Sequence, residues 1–465
     1  MQGGFLCLET GFVRAKNGIN VAVKNVLDFC IAALLFWAIG FGLMFGDSWG
    51  GFVGVSAFFF DPGAGTSVLR GDVLIAFFFF QMAFCGTATT IVLGAVAERM
   101  SFRGYVLVSA LLSGLIYPVF GHWAWGGAEV ASPSGWLAKL GFIDFAGSTV
   151  VHSMGAWVSL AAIIILGPRI GRYGEKEHRI EGHNIPYAGL GVMLLWFGWF
   201  GFNGGSTLAF NDKVAMIIVH TTLAGAAGGV GGLVLSWSFY RRSDVPAILN
   251  GVIAGLVGIT ACCHVVDMGG AILVGATSSA AALLAQRLLD RLHIDDTVGA
   301  APAHLAAGIW GTLCVALVGD PGAFGTGHDA LTQLGVQAIG IGAAAAIGFG
   351  VSFPVLWLAN RFHPLRVPVR AERVGLNVAE HGASSALLDL LAVMESQRMR
   401  GDFSDPVPVE PHTEAGEIAA QYNRVLERFN DEVQRRERTA QALERAPAGR
   451  GGQCLEIAVP GADEP

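Results

Sequence analysis

The chain holds 465 residues, of which 53% are apolar types and only 14% carry a charge, and its mean hydropathy is +0.55. That balance is too apolar for a soluble protein of this length and indicates an all-α polytopic membrane protein. The formal charge of −7 collects in loops and after Arg361, and no basic patch suggests a nucleic-acid partner. The 65 glycines fit close helix packing in lipid. Seven cysteines (Cys7, Cys30, Cys85, Cys262, Cys263, Cys314, Cys454) fall mostly inside apolar runs without paired spacing. They read as reduced core residues, not a disulfide framework or a metal knuckle.

The chain opens with MQGGFLCLETGFV, apolar but too short to cross a bilayer. It lacks the pattern of a signal peptide and reads as the second half of a spanning helix. Ten runs long enough to span follow, at 26–45, 73–97, 105–125, 145–166, 185–202, 214–240, 247–264, 269–288, 298–318 and 334–360. Alternate connections carry nearly all the basic residues: Arg14, Lys16 and Lys24; Arg99 and Arg103; Arg169, Arg172, Lys176 and Arg179; Arg241 and Arg242; Arg287 and Arg291; Arg361, Arg366 and Arg370. The other set has only Arg70, Lys139 and Lys213. The positive-inside rule predicts that the first set, and with it the C-terminal tail, is cytoplasmic.

The stretch DFAGSTVVHSMGAWVSLAAIIIL, from Asp144, carries His152 inside an otherwise apolar helix. A second, DDTVGAAPAHLAAGIWGTLCVALVG from Asp295, carries His304. Each histidine lies eight residues past an acid, Asp144 or Asp296, which is roughly 12 Å along a helix and near the middle of a hydrocarbon layer about 30 Å thick. The loop charges make the two helices antiparallel, so both imidazoles reach the midplane from opposite sides. Matched depth, opposite direction and the shared His, Gly, Trp order suggest an inverted repeat of five plus five helices.

After Arg361 the composition shifts. Residues 361–401 read as a cytoplasmic amphipathic region, and 402–413 as a Pro-rich break. From Glu414, Ile418, Tyr422, Val425, Phe429 and Val433 recur at helical spacing and predict a helix with a narrow seam, a short coiled coil. Residues 447–465 are Gly/Pro-rich and read as disordered.

An ionisable residue inside a span marks a functional site by default. Two imidazoles in an apolar lumen satisfy one another, one ring N–H donating to the bare nitrogen of the other. Such a pair either hands along a small hydrogen-bonding molecule or relays a proton. The plainer alternative is that each histidine bonds a neighbouring helix, and His220 keeps that reading. No HxxxH or His–carboxylate pair suits a metal. The aromatics Phe80, Phe84, Trp123, Trp125, Trp199, Phe200 and Phe202 fit an interfacial belt. The alternative is a cage whose ring faces attract a cation.

At this point the residues resemble a known family. FQMAFCGTATTIVLGAVAER, HWAWGG, DFAGSTVVH, LLWFGWFGFNGGS, GLVGIT and the stretch to His304 are similar, in order, to motifs of the ammonium transporter (Amt) family, over the chain up to about Gly382. The resemblance implies an Amt-type bundle of eleven helices in the plasma (inner) membrane, a homotrimer, no enzyme activity and no cofactor. It implies an outer ammonium site of Trp125, Phe84 and Ser206 with Phe80 beside it. Phe84 and Phe202 would be the stacked gate below, and His152 and His304 the twin histidines of the pore. Asp144 would support the outer site from the helix start without lining it.

The departures carry expectations too. Only the second half of the family's first helix is present, which implies a start placed too far downstream. Gly299 stands where the family often has Asp, and Ala261 where Pro is usual. GLNVAEHGA replaces the GLD…HGE of classical members, which speaks against docking of PII-class regulators. The altered tail and residues 402–446 resemble members joined through a HAMP-like linker to a signalling output module, and no such module follows in this sequence. A second function, an ammonium sensor that moves its tail helix, therefore stands beside transport. A channel for another neutral solute such as urea is disfavoured by Trp125, Phe84 and Ser206.

Overall fold

The structure is a computed structural model, described for residues 1–63, 71–128, 132–174 and 179–445. Arg70, Lys176, Cys454 and the tail 447–465 lie outside the described residues. The chain divides into two units, Met1–Ala383 and Ser384–Pro465.

The first unit holds eleven apolar helices among the described residues: α1 (Gln2–Phe12), α2 (Ala15–Phe45), α3 (Asp72–Val96), α4 (Phe102–Trp125), α5 (Ser148–Leu166), α6 (Ile185–Gly205), α7 (Asp212–Tyr240), α8 (Val245–Ile259), α9 (Met268–Arg291), α10 (Pro302–Leu317) and α11 (Ala330–Phe362). Eight are long and apolar enough to cross a membrane, while α8 and α10 are shorter. Bulky side chains such as Phe79, Phe197 and Phe362 remain more than 60% exposed, a surface that lipid rather than water would cover. Two short helices, α12 (Val369–Val374) and α13 (Leu376–His381), close the unit.

The helices pack as two related halves, with α1 on α6 and α5 on α10. The resemblance of the halves is local and chemical. Asp144 accepts backbone N–H groups of Gly147, Thr149 and Val150 at 2.7–3.1 Å. Asp296 accepts those of Gly299, Ala300 and Ala301 at 2.7–3.0 Å. A carboxylate there satisfies orphan helix donors and complements the helix dipole. Three residues past each acid stands a glycine with positive φ, Gly147 at 111° and Gly299 at 78°, a backbone region that L side chains rarely adopt. A wide π-helical turn follows in each half, Ser148–Ser153 and Pro302–Ala306, and each turn carries the histidine.

The two histidine helices, α5 and α10, run in opposite directions. Arg169, just past the end of α5, binds Asp295, just before α10, at 2.8 Å. At the other end, Gln337 Nε2 donates to Ile143 O, before α5, and to Thr312 O, near the end of α10, at 2.6 and 3.0 Å. The end with Arg169 is the basic end predicted from the loop charges. There Arg14 and Arg169 both hold Glu98, at 2.6 and 3.1 Å. Fully buried Arg99 donates to Thr297 Oγ1 and to the carbonyls of Gly167 and Asp295. Four connections are thereby tied into one clamp.

Several boundaries read from hydropathy shift. The opening stub is a buried helix packed on α6. The second span begins at Ala15 rather than at 26, because Lys24 and Asn25 are fully buried inside it instead of lying in a loop. The runs 145–166, 247–264 and 298–318 begin or end in turns that carry Asp144, Thr260 and Gly299. Cys30 is exposed, whereas Cys7, Cys85, Cys262, Cys263 and Cys314 are buried free thiols.

In the second unit, α14 (Ala386–Arg400) packs with α15 (Glu414–Arg445). The connector is pinned along α15: Asn423 receives the N–H of Val407 and donates to its carbonyl, at 2.7 and 2.9 Å. Leu390, Val407, Ala415 and Ala419 form the core, with Tyr422 against it. The single seam expected on this helix therefore divides. Tyr422 turns inward, while Ile418, Val425, Phe429 and Val433 stay 37–63% exposed.

The clamp sets a pH dependence. Burial alone would raise the Glu98 and Asp295 carboxyls, but Arg169, joined by Arg14 at Glu98 and Arg99 at Asp295, holds each down at about 2. Depressed carboxyls stabilise the fold fully above their unfolded value of about 4 and lose that contribution as pH falls through about 2. Thermal melting in detergent is expected to show a midpoint dropping between pH 4 and pH 2. Arg169→Ala, which strands two buried carboxylates, is expected to cost about 3–5 kcal/mol at pH 7. An unchanged midpoint in that variant would contradict the clamp.

Candidate functional site

The aromatic and histidine side chains singled out from the sequence converge on one column through the first unit. Its upper part is built by α3, α4 and α6. Phe84 lies 4.5 Å from Phe80 between ring centres and 6.0 Å from Trp125, the latter edge to face. Trp125 is fixed by its indole N–H, which donates to the carbonyl of Asp144 at 2.7 Å. Asp144 thus supports this end twice, its carboxylate capping α5 and its carbonyl holding the indole. Trp125 also packs close to Gly147, where an added Cβ would lie 3.1 Å from Trp125 Cη2. Ser206, at the end of α6, donates its hydroxyl to Phe202 O at 2.9 Å, which leaves its lone pairs able to accept. Neighbouring Gly205 abuts Phe80, an added Cβ falling 2.8 Å from the ring.

Below this cup Phe84 and Phe202 stack face to face, 4.0 Å apart and 15° from parallel. Both are nearly fully buried, at 2% and 5% exposure. Directly beyond, Phe202 meets His152 at 5.4 Å. His152 then faces His304, with ring centres 5.2 Å apart, planes 17° from parallel and the two Nδ1 atoms 3.2 Å apart. That contact needs one protonated and one bare Nδ1. His152 is fully buried and His304 is 3% exposed. Around the pair, Trp199 stacks on His152 at 5.1 Å, and Phe5 lies 5.9 Å from His304.

The π-helical turns explain the meeting. His152 N–H reaches back five residues to Gly147 O at 3.0 Å. Thr149 and Thr312 hydroxyls bond one another at 2.6 Å and pin α5 to α10 beside the pair. Such wide turns recur at functional sites.

Past His304 lies a void of about 10 Å³ lined by Phe5, Glu9, Asn250 and His304 among others. Asn250, Val298, Gly299 and Ala303 line both this void and a chamber of about 300 Å³ toward the basic end. Arg172, Arg179, Asp244, Gln286 and Asp290 face that chamber.

Not every expected aromatic belongs here. Trp123 packs with Phe52 and Trp136 and donates to Phe52 O, a loop-packing role. His220 bonds the carbonyl of Cys263 at 2.9 Å, the plain role expected of it. Three neighbours of the histidines escaped the sequence reading: Trp199 as a ring against His152, Phe5 and Glu9. Glu9 carried the same signal as the histidines, a lone ionisable residue in an apolar run. Among the described residues no cluster of His, Cys, Asp and Glu could hold a metal ion.

Comparison with known proteins adds the family. A family model described as "Ammonium Transporter Family" matches residues 1–386. A Synechocystis sp. protein whose name includes the words ammonium transporter is 47% identical over 435 residues, covering 92% of this chain and 79% of its own. Ammonium transporter Amt2 of Archaeoglobus fulgidus is 40% identical over 401 residues, covering 82% of this chain and 84% of its own. A solved structure described as "Sensor Amt Protein" is 40% identical with a TM-score of 0.77, covering 82% of this chain and 94% of that one. With its matched motifs, the eleven apolar helices among its described residues and these relatives, the chain belongs to the ammonium transporter family, whose members are multi-pass membrane transporters and not enzymes.

Proposed function

We propose that this chain recruits ammonium at Trp125, Phe84, Ser206 and Phe80, deprotonates it at the Phe84–Phe202 gate and conducts ammonia past His152 and His304. The observation that supports this reading most is the buried column itself: two stacked phenyl rings followed by two imidazoles with their Nδ1 atoms 3.2 Å apart.

Ammonium and potassium ions are similar in size, so size and charge alone do not separate them. The ring faces of Trp125 and Phe84 attract a cation as it sheds water, and the Ser206 oxygen accepts an N–H. Only ammonium can use that acceptor and then give up a proton. Beyond the stacked rings a bare cation would lose its hydration in a low dielectric, at a cost that neutral ammonia avoids. Ammonia meets the edges of the paired imidazoles, which offer both a donor and an acceptor. The proton leaves by a route that includes them.

By the same reading the basic end is cytoplasmic, the cup faces outward across the plasma (inner) membrane, and three copies assemble with one pore in each. Asn377, in the altered tail motif, accepts from Asn20 N and donates to Ala15 O at 2.9 and 3.0 Å. These bonds engage the tail with its own bundle, and we assign no PII-class partner.

Sensing is the second reading. It is favoured by the likeness to the solved "Sensor Amt Protein" and by α15, whose exposed Ile418, Val425, Phe429 and Val433 would suit a HAMP-like linker. Proteoliposome current on adding ammonium supports transport. Saturable binding without flux, with altered exchange in α15, supports the sensor.

Two outcomes are expected. Trp125→Ala removes a desolvated cation–π contact of about 1–2 kcal/mol, so half-saturating ammonium should rise roughly 5–30-fold. The double variant His152→Ala/His304→Ala should lose selective conduction, either by loss of ammonium flux or by admitting potassium. Retained ammonium flux with potassium still excluded would overturn the reading.

A further inference from the structure

We infer that Glu9 is the proton carrier beyond His304, taking the proton split from ammonium and passing it to the chamber at the basic end. This inference rests on the conduction reading above and extends it with a residue that reading does not use.

Glu9 sits on α1, is 1% exposed and shares the 10 Å³ void with His304. A void of that size holds about one water, given polar partners. Glu9, Asn250 and the His304 imidazole supply them. Through Asn250, Val298, Gly299 and Ala303 the void adjoins the 300 Å³ chamber. The Glu9 carboxyl and the His304 imidazole therefore border one void, with room for a bridging water, that adjoins a polar chamber.

The carboxyl is equipped to change its charge. Asp144 and Asp296 each spend their oxygens on three backbone N–H groups. Among the described residues, Glu9 receives one side-chain donor, Asn25 Nδ2 at 2.8 Å. Asn25 links Glu9 to a buried polar network. Thr90 donates to Asn25 Oδ1 at 2.9 Å, and Gln2 Nε2 donates to Asn25 O and to Asp28 Oδ1, both at 2.7 Å. The Tyr105 hydroxyl donates to Asp28. Lys24 donates to Met100 O at 2.7 Å, 5.7 Å from the centre of the Tyr105 ring. The network thus holds two carboxyls, Glu9 and Asp28, against one buried ammonium, Lys24. Unpaired charge is costly in such a site, so a proton shared with one carboxyl is the cheaper state. Asp28 is held by two donors and lies away from the void, which leaves Glu9 as the group that exchanges.

The sequence balances in atoms and charge. Ammonium gives a proton to the histidine pair, leaving ammonia and an imidazolium. Glu9, at rest the acid, releases its proton through water toward the chamber; as carboxylate it then takes the proton of the imidazolium through the intervening water, restoring the neutral imidazole and the resting carboxylic acid. Ammonia and the proton part company at His304 and reach the basic end separately.

The test compares Glu9→Gln, Glu9→Asp and wild type, purified whole and placed in proteoliposomes. Gln keeps an oxygen to accept from Asn25 but cannot take a proton. Ammonium-driven current and ammonia flux, the latter by internal alkalinisation, are read in the same vesicles. The expected result is a current-to-flux ratio that falls roughly tenfold or more in Glu9→Gln and recovers in Glu9→Asp. Infrared difference spectra of the wild type on adding ammonium should show a carboxyl band that Glu9→Gln lacks. An unchanged ratio in Glu9→Gln, or current and flux lost together in both variants, would overturn the relay. Ammonia flux without any current in the wild type would overturn the relay and spare conduction. Wild type with neither signal would remove the conduction reading itself.

Discussion

The contact on which the rest depends is between two imidazoles on opposed helices, Nδ1 to Nδ1 at 3.2 Å, with hardly any solvent access. Two isolated histidines in a membrane interior would each leave a polar ring without partners. Facing each other, they satisfy one nitrogen apiece and place polar edges in a column otherwise walled by Phe5, Trp199 and Phe202. A column of that character tolerates a small neutral molecule with a donor and an acceptor and resists any ion that must give up its water.

Bringing the rings together takes a repeated device. In each half an acid caps the helix start, a glycine with positive φ follows three residues later, and a π-helical turn presents the histidine. The pairing is then locked from both ends. Buried Arg169 bridges Glu98 and Asp295 at the basic end, and Gln337 ties the opposite end to Ile143 and Thr312. The contact in the middle thus rests on buried charges at one edge that satisfy one another, and on the amide of Gln337 at the other.

Much of this was legible in the sequence. Hydropathy runs gave the helices, loop charges made α5 and α10 antiparallel, and equal eight-residue spacing from Asp144 and Asp296 matched the two histidines that meet in the structure. What was not legible has physical causes. Span boundaries failed where polar residues are buried instead of solvated, as with Lys24 and Asn25, because hydropathy cannot distinguish a satisfied buried charge from a loop. The stack of Phe84 on Phe202 joins helices more than a hundred residues apart, and composition favoured a belt over a cage. Trp199 was visible as an aromatic, but its place against His152 depends on the rotation of α6. The seam on α15 read as one stripe, yet Tyr422 packs on the small core of the unit while Ile418 and Val425 stay exposed.

The most direct measurement is nitrogen-15 solid-state NMR of the histidine side chains, with the protein in bilayers and His152 and His304 assigned by substitution. The expected result is one protonated and one bare Nδ1, with coupling across the hydrogen bond between the two rings. Two imidazoles without mutual coupling, each bonded elsewhere or both doubly protonated at neutral pH, would contradict a pore built on their contact.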